Sequence, residues 1–225
     1  MALKSRSSVM VRQRDGSQYR DFTLFMQDDD EAIGTHRMPY TTVVSGVVGL
    51  TYQFAPLADR LARNPDTAAV FSSAIHGDPS TPVLETVAGD RVKIHVLVPW
   101  SEQNQVFAVE GHRWPLESGR KGTNLLSAVQ VGGLEAVTIE LEHGAGGAAR
   151  LPGDYLLGDH REPYRPAGLW GLLRVLPEDA PGRLRPLAGD AQRSSANRLL
   201  LWLVAASVAL AAMARLWWRR RRLAG

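Results

Sequence analysis

Residues 152–175, PGDYLLGDHREPYRPAGLWGLLRV, decide the fold of this chain. The segment predicts two short strands joined by a polar loop, because apolar residues dominate its first and last parts while charged residues and prolines fill the middle. The polar loop begins at a strand end, where Asp159 and His160 stand together. Seven side chains are expected in the core of these closing strands: Tyr155, Leu156, Leu169, Trp170, Leu172, Leu173 and Val175.

Short apolar stretches of the same kind recur upstream of this segment, separated by Gly and Pro turns at intervals of about 8 to 12 residues. Strands are predicted at residues 19–27, 82–86, 91–98 and 104–114, with two more between 124 and 147. One short amphipathic helix is predicted in residues 56–64, PLADRLARN. Seven or eight such strands, about the number in this fold class, predict a mainly β Greek-key sandwich over residues 19–176.

The composition excludes several kinds of site. The 225-residue chain has no cysteine, which rules out disulfides, thiolate zinc sites, iron–sulfur clusters and a cysteine nucleophile. Its net charge is only +3, and five arginines lie between residues 215 and 222, so no nucleic-acid-binding face is expected. The hydrolase and nucleotide motifs G-x-S-x-G, P-loop and H-E-x-x-H do not occur.

The apolar run LLLWLVAASVALAAMA, residues 199–214, indicates a membrane segment. Continued to Trp218 it spans about 30 Å, so a transmembrane helix is predicted at 198–218 after a linker at 177–197, rather than a buried helix of a soluble domain. The basic tail at 219–225 is expected to be cytoplasmic, which places the sandwich outside the cytoplasm in a single-pass membrane protein.

The N-terminal segment, residues 1–18, is predicted to be disordered and has no apolar stretch of a signal peptide. We therefore expect the chain to be the C-terminal part of a longer exported polypeptide. A misassigned start and a tail-anchored protein that faces the cytoplasm are the alternatives.

Three stretches carry a resemblance to a known family: TPVLETVAGDRVKIHVLV, NQVFAVEGHRWPLE and GDYLLGDHREPYRPAGLWGLLRV. In this order they resemble the C-terminal cupredoxin (plastocyanin-like) domain of multicopper oxidases. The resemblance implies a cupredoxin-like Greek-key β-sandwich, an oxidoreductase context, and partner domains that carry copper.

The resemblance also implies where copper ligands would stand. Only His160 retains the residue of the family among eight such positions. The ligand positions of the mononuclear type 1 copper fall on Gln105, Asp159, Tyr164 and Leu169. Those of the trinuclear cluster fall on Ala108, Glu110, Gly158 and His160. A blue copper site needs a thiolate and two imidazoles, so this chain is predicted to lack type 1 copper and not to be catalytic alone.

A rebuilt metal site is the alternative use of the remaining polar residues. His112 and His160 with Glu110 and Asp159 would suit zinc or cupric copper if the strands pair as in a cupredoxin. Otherwise both histidines are expected to bond loop backbone, with Asp159 paired to a nearby arginine. The acidic run DDDE, residues 28–31, is expected to be a solvated turn rather than a cation site.

The sequence therefore predicts a membrane-anchored cupredoxin-like domain that acts as a structural and assembly module. Its expected partners are the membrane and copper-bearing cupredoxin domains of the same or another chain. The alternatives are a copper-dependent oxidase subunit that shares a copper centre with another domain or chain, and a copper or zinc carrier. No cofactor is assigned, and copper is the candidate.

Overall fold

A computed structural model describes residues 8–29, 47–179 and 187 of the chain. The strands are β1 Ser8–Arg12, β2 Gln18–Asp29, β3 Val47–Leu50, β4 Val83–Val87, β5 Val92–Trp100, β6 Gln105–Val109, β7 Trp114–Pro115, β8 Leu125–Leu126, β9 Ala128–Val131, β10 Glu135–Glu140, β11 Gly153–Asp159 and β12 Trp170–Leu176. The helices are α1 Leu57–Leu61, α2 Ser73–His76 and α3 Tyr164–Ala167, with a 3₁₀ turn at Thr67–Ala69.

Two five-stranded sheets form the domain. The first has the order β1-β2-β5-β10, with β3 paired to β2, and the second has the order β4-β12-β11-β6-β9. The pairs β2/β5 and β4/β12 are parallel, whereas the other pairs in these sheets are antiparallel. The strands β7 and β8 form a small separate hairpin. The chain is mainly β, as the sequence predicted.

The core lies between the two sheets and follows from the alternation in the strands. Phe22 and Leu24 of β2 and Ile94 of β5 face inward from the first sheet and are fully buried. Leu157 of β11 and Leu173 of β12 meet them from the second sheet in the same cluster. Each such side chain contributes about 1.5 to 3 kcal/mol when it leaves water.

The other face of β12 is also covered, which explains why this strand is almost continuously apolar. Trp170 lies there against Phe71, and its indole Nε1 donates a hydrogen bond to the carbonyl of Ala55 at 2.7 Å. The Arg60 guanidinium stacks on the indole at 4.8 Å and donates to two backbone carbonyls. The predicted helix is present as α1, and it supplies this buried arginine.

The C-terminal part of the predicted fold class is corrected. We expected a transmembrane helix at 198–218; in the part of the chain that the structure describes, no helix is long and apolar enough to cross a membrane. The longest there is α1, with 5 residues, because the described sequence between strands is broken by Gly, Pro and polar residues. Residues 198–218 themselves lie outside the described residues, and the membrane location depends on them.

The N-terminal prediction also differs from the structure. Ser8–Arg12, which the sequence places in a disordered segment, forms β1 and pairs with the first part of β2. Residues 1–7 of that segment lie outside the described residues.

Candidate functional site

The copper-ligand positions that the resemblance implies meet at one end of the second sheet. Strands β6 and β11 are antiparallel, with Asp159 opposite Phe107. The loop after β11 folds back through α3, where the backbone nitrogen of Asp159 donates to the carbonyl of Leu169 at 3.0 Å. Leu169 in turn donates to the carbonyl of Tyr164 at 3.1 Å. The strand end and the loop therefore form one hydrogen-bonded unit.

Asp159 stands where the resemblance puts the thiolate. Its side chain links β6 to the loop after β11 through hydrogen bonds to their backbone. Its Oδ1 accepts hydrogen bonds from the backbone nitrogens of Val106 at 2.9 Å and Arg161 at 3.0 Å. Its Oδ2 is buried and has no hydrogen-bond partner among the described residues. Burial raises the pKa of this carboxyl to about 6, although the two backbone donors and the charges of Arg161 and Arg165 lower it.

Gln105 stands where the resemblance puts the first imidazole of the type 1 site. It is fully buried, and its Nε2 donates to Asp28 Oδ2 at 3.0 Å and to Ser101 Oγ at 2.9 Å. Asp28 Oδ1 accepts from the backbone nitrogen of Glu102 at 2.9 Å. Gln105 thus ties the second sheet to β2 of the first sheet through a buried carboxylate.

Asp28 is a residue whose role the sequence analysis missed, because it was assigned to a solvated acidic turn. It is only 1% exposed. The signal was the alternation of β2, in which Phe22, Leu24 and Met26 face the core and the same parity continues to Asp28.

Tyr164 and Leu169 complete the four type 1 positions, and both belong to the hydrophobic core. The Arg161 guanidinium lies 5.3 Å from the centre of the Tyr164 ring. The four positions thus hold a carboxyl, an amide, a phenol and an aliphatic side chain. This set does not provide the soft thiolate and imidazoles that a blue copper site requires, so the residues do not fit type 1 copper.

Gly158 and Ala108, at two of the trinuclear positions that the resemblance implies, face each other across β11 and β6. Gly158 has a φ of +128°, and a Cβ there would lie 2.5 Å from the carbonyl oxygen of Leu169 and 2.7 Å from the Trp170 Cα. Ala108 is 3% exposed. The backbone at Gly158 therefore has no room for an imidazole unless the adjoining loop moves.

His160 and Glu110 form a surface pair at the other trinuclear positions. The distance from His160 Nε2 to Glu110 Oε1 is 2.8 Å, and their side chains are 40% and 48% exposed. This pair is the part of the predicted metal group that the structure brings together.

His112 is held by backbone on both ring nitrogens. Nδ1 donates to the carbonyl of Glu110 at 2.9 Å, and Nε2 accepts from the backbone nitrogen of Gly146 at 3.0 Å. The ring also packs edge-on against Tyr155 at 4.6 Å. Burial lowers the pKa of His112, which matches this neutral tautomer. His112 thus fastens the glycine-rich loop after β10, in agreement with the backbone-bonding alternative.

Within residues 8–29, 47–179 and 187, no group of three or more His, Cys, Asp or Glu side chains is arranged to hold a metal ion. His112 and Asp159 use their side chains for backbone bonds instead of joining the His160–Glu110 pair. The four-residue metal site stays a prediction from the sequence.

No family model and no curated protein matches the chain. Its structural neighbours are laccases, multicopper oxidases and copper nitrite reductases. A laccase from Botrytis aclada is 14% identical with a TM-score of 0.45, over 74% of this chain and 30% of that one. A copper nitrite reductase from Nitrosomonas europaea is 14% identical with a TM-score of 0.40, over 69% and 48%.

A multicopper oxidase from Campylobacter jejuni is 12% identical with a TM-score of 0.42, over 69% of this chain and 29% of that one. The chain thus spans less than half the length of these solved structures. These neighbours include multicopper oxidases, the family that the sequence resemblance named.

Proposed function

We propose that this chain is a cupredoxin-like module without type 1 copper, which serves as a structural and assembly unit beside copper-bearing cupredoxin domains. The observation that carries the proposal is the position of Asp159. Its buried carboxyl replaces the thiolate and bonds the backbone of β6 and of the following loop. In this role Asp159 uses its carboxyl for hydrogen bonds within the protein rather than for binding a metal.

The chemistry of the replaced positions supports a structural role. In the family that the chain resembles, electrons pass through the cysteine of the type 1 site, and no cysteine exists here. Asp28 and Gln105 instead form a buried polar link between the two sheets. A buried polar link of this kind favours one arrangement of the sheets, whereas a metal would have to displace it.

A second candidate is an oxidase subunit that shares a copper centre with another domain or chain. The exposed His160–Glu110 pair favours it, because an imidazole and a carboxylate on the surface leave coordination positions for ligands from elsewhere. This candidate needs a partner that supplies the remaining ligands.

Copper loading of the purified full-length chain tests the proposal. We expect no intense blue absorption and no copper retained in stoichiometric amount after gel filtration, as measured by mass spectrometry of the metal. A blue thiolate-like site would contradict the structural role. Retained copper without the blue band that is lost in His160→Ala, and kept in the matched surface variant His143→Ala, would contradict the proposal and favour a copper site that includes His160.

A further inference from the structure

The outer face of the first sheet carries a side-chain pattern that the proposed function does not use. The residues of β2 and β5 at odd positions point away from the core, because their even-numbered neighbours are buried from Arg20 to Asp28 and from Val92 to Val98. The described helices pack elsewhere, and the main contacts of β2, β5 and β10 are with other strands. Among residues 8–29, 47–179 and 187, the outward side chains of this face are partly exposed to solvent.

One end of this face carries large apolar side chains that are exposed. Tyr52 is 71% exposed and stacks on Phe25 with ring centres 5.7 Å apart. Trp100 is 58% exposed and Leu134 is 88% exposed. Tyr52 and Leu134 have positive φ angles of 64° and 66°, which are uncommon for such side chains and cost free energy. The backbone is thus strained at two of the residues that present apolar surface to water.

The outward side chains of β2 complement those of β5 across the line between the two strands. These central strands are parallel and in register, with three outward pairs: Asp21 opposite Lys93, Thr23 opposite His95, and Phe25 opposite Leu97. Beyond Phe25 lies the large Tyr52, and beyond Leu97 lies the small Ala136. Across this line an acid matches a base, a polar residue matches a polar residue, and a large apolar residue matches a small one.

We propose that a second copy of this chain covers the face, with a two-fold axis along the line between β2 and β5. Such an axis places each residue over the cross-strand neighbour of its counterpart. Asp21 then faces the partner's Lys93, Phe25 faces the partner's Leu97, and Tyr52 fits above the partner's Ala136. A two-fold interface requires this self-complementarity, and two sheets packed face to face are about 10 Å apart.

The charges of the face favour a like copy over a strongly acidic or basic partner. Glu140 lies 2.6 Å from Arg91 and 3.4 Å from Lys93, and His95 lies 2.7 Å from Asp21. The face therefore presents both signs of charge, with Asp21 on the β2 side of the axis and Glu140 on the β5 side together with Arg91 and Lys93. A partner with a single sign of charge would be attracted by some of these groups and repelled by others.

Sedimentation velocity of the full chain with Ala136→Arg tests the interface. Ala136 is exposed on the edge strand β10, so the folded chain accommodates arginine there, but the partner's Tyr52 does not. We expect wild type to dimerise and the dissociation constant to rise about tenfold or more in Ala136→Arg. The control is Ala58→Arg, which is exposed on α1 and should dimerise like wild type. Equal association of all three proteins overturns the proposal.

Crosslinking gives an independent measurement, since the chain has no cysteine. Chains with Thr23→Cys and with His95→Cys are mixed and treated with a bismaleimide that spans about 10 Å, the spacing of packed sheets. We expect the mixed dimer to be captured faster than a mixture in which Ala58→Cys replaces His95→Cys. Equal capture in the two mixtures refutes the two-fold arrangement, whether or not Ala136→Arg folds.

Discussion

Replacing Asp159 by asparagine is expected to remove a pH dependence of stability. Asparagine keeps an oxygen that accepts from the nitrogens of Val106 and Arg161, but it does not titrate. In the wild-type chain burial raises the pKa of the carboxyl from 3.8 to about 6. The wild-type folded state therefore binds the proton more tightly than the unfolded state does, and the variant has no such preference.

The sign and size of the effect follow from these values. The contribution of the protonated Asp159 is fully present below pH 3.8 and is lost as the pH rises through about 6. The two values differ by about 2 pKa units, which corresponds to about 3 kcal/mol. The free energy of unfolding of Asp159→Asn, relative to wild type, should therefore rise by up to about 3 kcal/mol across this window.

Urea unfolding between about pH 4 and about pH 8 measures this difference, with the fluorescence of the buried Trp114 and Trp170 as the signal. The lowered pKa of His112 acts in the opposite direction, because its stabilising contribution is lost as the pH falls below 6.5. That contribution is common to both proteins and cancels in the difference. A difference that does not change with pH would show that the Asp159 carboxyl is not buried as the structure has it.

Three further predictions concern the same end of the domain. Rebuilding the four type 1 positions should create blue, thiolate-bound copper if the resemblance places them correctly, and a folded variant without that absorption would refute the placement. The substitutions are Gln105→His, Asp159→Cys, Tyr164→His and Leu169→Met. Trp170→Ala should lower the free energy of urea unfolding by about 3 to 5 kcal/mol, whereas His160→Ala should cost about 1 kcal/mol or less; the reverse order contradicts the packing described. Gly158→Ala should lower the thermal midpoint more than Gly77→Ala, because both have positive φ but only Gly158 has backbone within 3 Å of the added Cβ; equal shifts would exclude the clash.

The sequence predicted the strands well where alternation is regular. Val92, Ile94 and Val96 of β5 face the core as their spacing indicates, and the closing strands lie where the apolar residues of 152–175 placed them. Local pattern suffices in these cases because one buried face fixes the register of a strand.

The polar contacts of the site could not be predicted in the same way. Gln105 binds Asp28 over a separation of 77 residues, and Arg60 stacks on Trp170 over 110 residues of sequence. Such contacts depend on how two sheets and a loop layer come together, which residue type and spacing do not encode. The strand β1 was missed because its apolar residues are consecutive rather than alternating with polar ones, and because it pairs at a sheet edge.

The close approach of the Leu169 carbonyl to Gly158 bears on how such a domain can evolve. A mutation of Gly158 to histidine would meet backbone atoms before it met a metal. It would be selected against for stability before any gain in metal binding was available. A histidine at this position would need the loop and the glycine to change together, so single mutations leave the chain without an imidazole there.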